Sequence, residues 1–406
     1  MRVIINGIGF LRKHGLRATC RAAVRRVRGP GGTRRDDVLP YRFAYEAVSY
    51  RHREPPRDSS TLKTINWVIP NFYGASGGHR TIFRLTRGLE AAGYEVHFYI
   101  FGDTHYVSDS EATAAVRSGY FPLRASVHTG VAQMRPAEVC IASSWETAYA
   151  VRDFDACRRK LYFVQDYEPS FFPAGTEMAL AENTYRFGFE CICAGPWLAQ
   201  RMREYGNRAE HFDLAYDAEA YGPGRDGYRG NRVVFYARPE TPRRGTGLGL
   251  AALALLKRRR PEVEVVLFGS DGAPDGVPFG FTPGGIMSER ELAELYREAT
   301  VGLSVSLTNY SLVPQEMLAC GLPVVEMDLP PLRAAYPSES AGLLLAPPDP
   351  ERIADALDSV LSLSDVEMRR ARKEAADLVG QLSWAQAEER LLDFVRDEGG
   401  ERIKSA

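Results

Sequence analysis

The sequence has no run of about 18 apolar residues, the least a membrane-spanning helix requires. The most apolar segment, LGLAALALLK (248–257), is too short and leads into a basic run. No Cys-x-x-Cys pair occurs among Cys20, Cys140, Cys157, Cys191, Cys193 and Cys320, so neither a redox motif nor a zinc ribbon is written here. The cysteines lie in apolar surroundings and read as buried free thiols of a reducing compartment. Cys191 and Cys193 alternate in FECICAG and share a strand face, but no histidine is near enough in sequence to complete a metal site. Internal repeats and low-complexity segments are also missing. The apolar start, VIINGIGF, is followed by basic residues and by no small-residue cleavage site, so it does not read as a secretory signal.

What remains is the profile of a globular protein with 406 residues, 45% hydrophobic and 25% charged, a length that suits two domains. The net charge is −1, but residues 1–60 carry fourteen Lys and Arg against five Asp and Glu. This basic preamble contains LRKHGLRATCRAAVRRVRG (11–29), which reads as a basic amphipathic helix broken by GPGGTRRDD. Two readings stand: residues 1–28 adsorb to an anionic membrane surface, or they pack on the domain flank. A nucleic-acid partner is not expected, since no aromatic residues interleave the charges.

From residue 64 onward, short apolar runs alternate with helical patterns. TINWVIP, YEVHFYIFG, AEVCIASS, RKLYFVQD and FECICAG read as strands, with GGHRTIFRLTRGLEAAG as a crossover helix. A second series follows: NRVVFYARP, a helix ending in LLKRRRP, VEVVLFGS, VGLSVSL and LPVVEM. The pattern implies an α/β chain of parallel sheets, in four parts: a basic extension (1–60), a Rossmann-like domain (61–225), a second Rossmann-like domain (226–383) and a C-terminal helix packing back toward the first domain (384–406). The two domains are expected to face each other across a cleft, with ligands beyond the carboxyl ends of the strands.

Four strand-end segments carry candidate chemistry. NFYGASGGHRT (71–81) brings Gly77, Gly78 and His79 to a helix start, where backbone N–H groups can approach an anion; it lacks the lysine of a Walker A loop. FYARPETPRRG (235–245) gathers Arg238, Arg243 and Arg244 in one turn, a charge pattern suited to a diphosphate. LFGSDG and GGIMSERELAELY place Gly269 and Ile286 in turns able to hold a base through main-chain groups, with Ser288 and Glu291 as a helix cap. In LTNYSLVPQEMLACGLPVVEM (307–327), the pattern predicts a helix over 314–320. Ser311, Leu312 and Val313 then offer N–H groups to phosphate, and Glu316 in the first turn faces a ribose diol. DFD (153–155) has the form of a metal-binding motif but precedes a strand, and GTGLGLA (245–251) resembles a dinucleotide fingerprint but does not directly follow one.

Together these segments resemble the two-Rossmann (GT-B) retaining glycosyltransferases of family 4. QEMLACGLPVVEM is similar to the second half of that family's Glu-x7-Glu motif, which implies a ribose-binding role for Glu316; Thr308 stands where the first glutamate belongs. INWVIPNFYGASGGHRT, YFVQDYEPSFFPAGTEMALAENTYRFGFECICAGPWL, FYARPETPRR and PQEMLACG resemble the WsaF-type rhamnosyltransferases. That resemblance implies transfer of L-rhamnose from dTDP-L-rhamnose onto a cell-surface polysaccharide or lipid-linked glycan. It implies donor contacts at Arg238, Arg243, Arg244, Gly269, Ile286, Thr308, Ser311, Leu312, Val313 and Glu316. Asp166 and His79 are the candidate catalytic residues, and Glu168 joins Gly77 and Gly78 as an acceptor or phosphate contact. No metal and no cofactor are expected, and the expected location is the cytoplasm, peripheral to the inner membrane face if residues 1–28 bind lipid. A nucleotide-sugar epimerase or phosphorylase of the same fold, and a catalytically degenerate nucleotide-sugar-binding protein, are the alternatives.

Overall fold

The computed structural model describes residues 41–55, 63–73, 76–224, 230–272, 274, 276–337 and 340–397. The basic helix expected within residues 11–29 lies outside them. The chain divides into two compact units, 1–163 and 164–406, so the joint expected near 221–231 falls within the second.

In the first unit, β1 (Thr64–Pro70), β2 (Glu95–Phe101), β3 (Ser126–His128), β4 (Ala137–Ala142) and β5 (Cys157–Val164, reaching the first residue of the second unit) lie in the order β3-β2-β1-β4-β5. Every pairing in that order is parallel. β1 has five consecutive buried residues, as a strand covered on both faces must. Helix Gly77–Ala91 follows β1, and Trp145–Arg152 follows β4, its start fixed by reciprocal Ser144 and Thr147 capping bonds. Asp153, the first residue of the DFD motif, ends that helix and accepts the Val48 N–H at 3.2 Å. Trp67, Phe83, Phe98 and Phe163 fill the core.

The second unit contains the parallel pair β6 (Glu190–Ala194) and β7 (Ala209–Phe212). Its main sheet is formed by β8 (Arg232–Tyr236), β9 (Glu264–Phe268), β10 (Thr282–Gly285), β11 (Val301–Leu303), β12 (Val324–Met327) and β13 (Leu343–Ala346), in the order β10-β9-β8-β11-β12-β13. Val233, Phe235, Val265, Leu303 and Val325 pack against Leu253, Leu256, Ile353 and Leu357 of the covering helices. Gly249 lets helix Thr246–Arg259 lie on the sheet, since an added Cβ there would fall 2.2 Å from the Phe235 ring. Gly249 of GTGLGLA thus serves close helix–strand packing. The tail helix, Trp384–Arg396, is capped by Ser383 and packs along β7, where Arg208 stacks on Phe394 at 4.8 Å.

Candidate functional site

In the second unit, residues that follow different strands converge. After β8 the chain forms a single turn of tight helix, Pro242–Arg244, and ends it at Gly245 with φ 50°. Glycine is required twice over there, because a Cβ would also lie 2.3 Å from Val305. The Arg243 carbonyl accepts the Leu307 N–H at 3.1 Å, which locks the arginine turn to the segment after β11.

Asp166, just beyond β5, meets this turn. Its carboxylate lies 3.5 Å from Arg243 Nε and accepts the Tyr167 N–H at 2.9 Å, and the nearby Thr308 hydroxyl helps to hold its pKa down. Burial pushes its pKa up, and the Arg243 guanidinium pulls against that shift. Burial likewise lowers the Arg243 pKa, with Asp166 opposing it. The guanidinium sits 4.3 Å above the Phe171 ring, an orientation favoured by the ring's negative face. Arg244 donates to Ser306 Oγ at 3.4 Å. Asn309 ties the segment down by donating to the Gln165 and Ala194 carbonyls, both at 3.0 Å.

Beneath this cluster lies a residue the sequence reading missed. Glu326, on β12, has no exposed surface. It accepts the Ser306 N–H at 2.9 Å, the Ser306 hydroxyl at 3.0 Å and the Met327 N–H at 2.8 Å. Burial raises its pKa to about 7, the hydrogen bonds working the other way. The available signal was a carboxylate set in the apolar run PVVEM, which pattern reading absorbed into the strand.

The following helix spans Leu312–Ala319, two residues earlier than expected at its start. Pro314 is therefore its third residue, and half-buried Glu316 its fifth, in the second turn and not the first. Proline still fits, because a first-turn N–H has no partner within the helix. Ser311 is the N-cap residue and makes no side-chain cap bond; its hydroxyl lies 3.5 Å from Ser306 Oγ. Leu312 and Val313 occupy the positive end of the helix, as expected.

Arg238 and Glu168 border this cluster: both charges act on Arg243, and Arg244 lies 5.8 Å above the ring of Tyr236, which Arg238 also meets. Arg238 is tied to Glu240 at 2.8 Å and approaches the Tyr236 hydroxyl at 3.5 Å. Gly269 lies against the same residues: a Cβ there would come within 2.5 Å of the Tyr236 ring. The Gly269 N–H is spent on the Gly285 carbonyl at 2.8 Å, so that turn offers one main-chain donor fewer to a base. Neighbouring Ile286 is 59% exposed. Ser288 and Glu291 form the expected capping box. Glu168 opens a short turn of tight helix, its N–H donating to the Tyr185 hydroxyl at 3.1 Å.

In the first unit, Gly77 and Gly78 begin their helix as expected. His79 is buried there, with Nδ1 2.9 Å from Ser76 Oγ and Nε2 3.1 Å from the Pro70 carbonyl. Nε2 therefore carries the proton and donates it, while Nδ1 accepts from the serine. Burial lowers the His79 pKa to about 4, so the imidazole is neutral and both nitrogens are engaged in shaping the turn.

Comparison with known proteins gives this arrangement its context. The family model for the WsaF N-terminal domain matches residues 109–194, and that for the C-terminal domain matches 231–358. The O-antigen biosynthesis protein RfbC of Myxococcus xanthus is 34% identical over 354 residues, covering 84% of this chain and 28% of that protein. The phosphatidyl-myo-inositol mannosyltransferase of Mycolicibacterium smegmatis is 29% identical over 47% of this chain and 52% of its own length. The chain thus spans about a quarter to a half of these two relatives. Among solved structures, Anabaena HepE in complex with UDP and glucose superposes with a TM-score of 0.63 at 14% identity, covering 81% of this chain and 98% of that one. Staphylococcus aureus TarM does so with 0.66 at 8% identity, covering 82% and 100%. These likenesses establish the two-Rossmann GT-B fold, and the two domain models, which together match just over half of the residues, establish the lineage: the chain belongs to the WsaF family.

Proposed function

We propose that the chain is a retaining glycosyltransferase that moves L-rhamnose from dTDP-L-rhamnose onto a growing cell-surface polysaccharide or glycolipid. The observation that carries this reading is the meeting of Arg243, Arg244, Asp166 and Thr308 beside the N-terminus of helix 312–319. Departure of the nucleoside diphosphate leaves negative charge on the distal phosphate. Arg243, Arg244 and the Leu312 and Val313 N–H groups are fixed donors for that charge, and fixed donors lower the barrier most when aimed at charge that develops in the transition state. The arginines supply this charge at any pH, so the reading requires no metal and no cofactor. Glu316 takes the ribose hydroxyls.

Thr308 removes the glutamate expected near the donor sugar, and Asp166 supplies a carboxylate beside it. In this reading Asp166 orients a sugar hydroxyl, and no protein nucleophile is invoked, since substitution on the same face is assisted by the leaving phosphate. His79 holds its turn and takes no proton. Support for a cell-surface glycan as product comes from the name of the Myxococcus relative, and support for a nucleotide-sugar donor from the HepE complexes.

The test is a donor panel of dTDP-L-rhamnose, UDP-glucose and GDP-mannose, with a lipid-linked glycan acceptor and mass detection of the product. Transfer from dTDP-L-rhamnose is expected. Efficient transfer from UDP-glucose, with none from dTDP-L-rhamnose, would overturn the donor and leave a transferase. In the same reading residues 1–28 rest on anionic lipid; truncated and full-length protein sedimenting equally with anionic vesicles would refute that. Among the described residues no helix is long and apolar enough to cross a membrane.

A further inference from the structure

Apart from the arginine cluster, the second unit has a pocket of about 640 Å³ lined by Trp197, Gln200, Asp328, Pro330, Arg333 and Ala334. Such a volume suits a small-molecule site. Trp197 and Gln200 lie three residues apart on helix Pro196–Glu204 and so share a face. Asp328 follows β12, and Pro330, Arg333 and Ala334 belong to helix Pro330–Ala335, which packs on the first helix.

The wall chemistry is specific. Arg333 binds Asp328 with both prongs of its fork, Nε to Oδ1 and Nη2 to Oδ2, the latter at 2.6 Å. That bond holds the Asp328 pKa below the usual carboxylate range, so the carboxylate is ionised and its position fixed. Each carboxylate oxygen keeps a further lone pair, and the guanidinium keeps further N–H groups. Acceptors and donors therefore stand side by side on a rigid frame, while Gln200 adds an exposed amide. The pair is electrically balanced: an anion arriving there would meet Asp328, and a cation would meet Arg333. The half-buried indole of Trp197 lines the same pocket and adds an apolar plane. A neutral ligand with adjacent hydroxyls on one side and C–H groups on the other satisfies both walls, and a pyranose is such a ligand.

The pocket also borders the arginine site. The Trp197 ring packs edge-on against Tyr167, the neighbour of Asp166, with centroids 5.9 Å apart. Asp328 lies two residues beyond Glu326, which holds Ser306. Gly195, at the end of β6, has φ 96° and meets Tyr310 closely enough that a Cβ would lie 2.4 Å from its ring.

We infer that this pocket binds one uncharged sugar unit of the acceptor glycan, stacked on Trp197 and hydrogen-bonded by Asp328, Arg333 and Gln200. Only the word acceptor rests on the transferase reading. On that same reading, the pocket sets which glycan is extended.

Two measurements separate the claims. Saturation-transfer NMR and titration use methyl α-L-rhamnopyranoside, methyl α-D-mannopyranoside and methyl α-D-glucopyranoside with the full chain, up to about 50 mM, enough to fill a millimolar site. At least one glycoside is expected to bind, and Trp197→Ala is expected to weaken it by about tenfold or more. Arg333→Gln, a change at an exposed side chain, is the second variant should Trp197→Ala fail to fold, and is expected to weaken binding several-fold. Both folded variants should keep wild-type affinity for dTDP and show a raised KM for acceptor. No binding of any glycoside, or binding that both variants leave intact, overturns the pocket. Glycoside binding lost in the variants, together with no sugar transfer by the wild type from any donor, supports the pocket and overturns the transferase reading instead.

Discussion

Replacing Glu326 tests the foundation of the arginine site. Truncation to alanine would strand the Ser306 N–H, the Ser306 hydroxyl and the Met327 N–H, all held by this carboxylate. At ~1–3 kcal/mol for each unpaired buried group, the cost approaches the whole stability of a domain. Glutamine is the informative change. Its Oε1 keeps both backbone N–H groups, and the Ser306 hydroxyl can rotate to accept from its NH2. The wild-type carboxyl has a pKa of about 7, against 4.5 for an ordinary glutamate. Between those values the folded chain keeps a proton that the unfolded chain has released. Stability from this group therefore falls as pH rises, by about 2.5 kcal/mol between roughly pH 5 and pH 8, at 1.36 kcal/mol per pH unit where the two states differ by a full proton. Glutamine does not titrate, and other groups cancel in the difference. Urea unfolding of both proteins across that range should show Glu326→Gln gaining on the wild type by about that amount from acid to mild alkali. Parallel curves would refute the reasoning, because they would mean that Glu326 ionises as an exposed carboxylate does.

Three further outcomes follow from the same geometry. Glu316→Ala should weaken dTDP binding by ~1.5–3 kcal/mol, about ten- to 150-fold, while the fold is kept; calorimetry showing unchanged affinity would remove Glu316 from the site. Arg238→Ala and Arg244→Ala should reduce turnover and dTDP affinity while sparing free thymidine, and equal losses for both ligands would misplace the arginine turn. Gly195→Ala should cost about 2–5 kcal/mol, since the new Cβ meets both a left-handed backbone and the Tyr310 ring, whose hydroxyl accepts the Leu214 N–H at 3.1 Å; a melting temperature equal to the wild type's would show that Tyr310 can move aside freely.

The sequence by itself determined the strands, the helix caps and the chemical types of the site. Runs such as TINWVIP and RVVFY are buried on both faces, and that requirement writes continuous apolar residues into the chain. The capping box at Ser288 and Glu291 was equally plain, because its two bonds close within four residues. Arg243, Arg244, Asp166 and Thr308 were each visible as polar residues near strand ends. Short strands such as β3 and β7, three and four residues long, carry too little periodicity to be read.

Only the tertiary structure decided which of these residues meet. Gln165 and Asn309 are 144 positions apart, yet the Asn309 side chain donates to the Gln165 carbonyl and so brings Thr308 beside Asp166, because parallel strands deliver distant segments to the same edge. Folding also separated residues that look alike on paper: Arg243 faces a buried carboxylate, whereas Arg238, five residues earlier, is tied to exposed Glu240. His79 was a candidate catalytic residue by its place in a glycine loop; burial and two local partners decide its protonation. Glu326 was hidden for the converse reason. A carboxylate in an apolar strand is costly unless donors surround it, and those donors come from another strand's end, which no local pattern records.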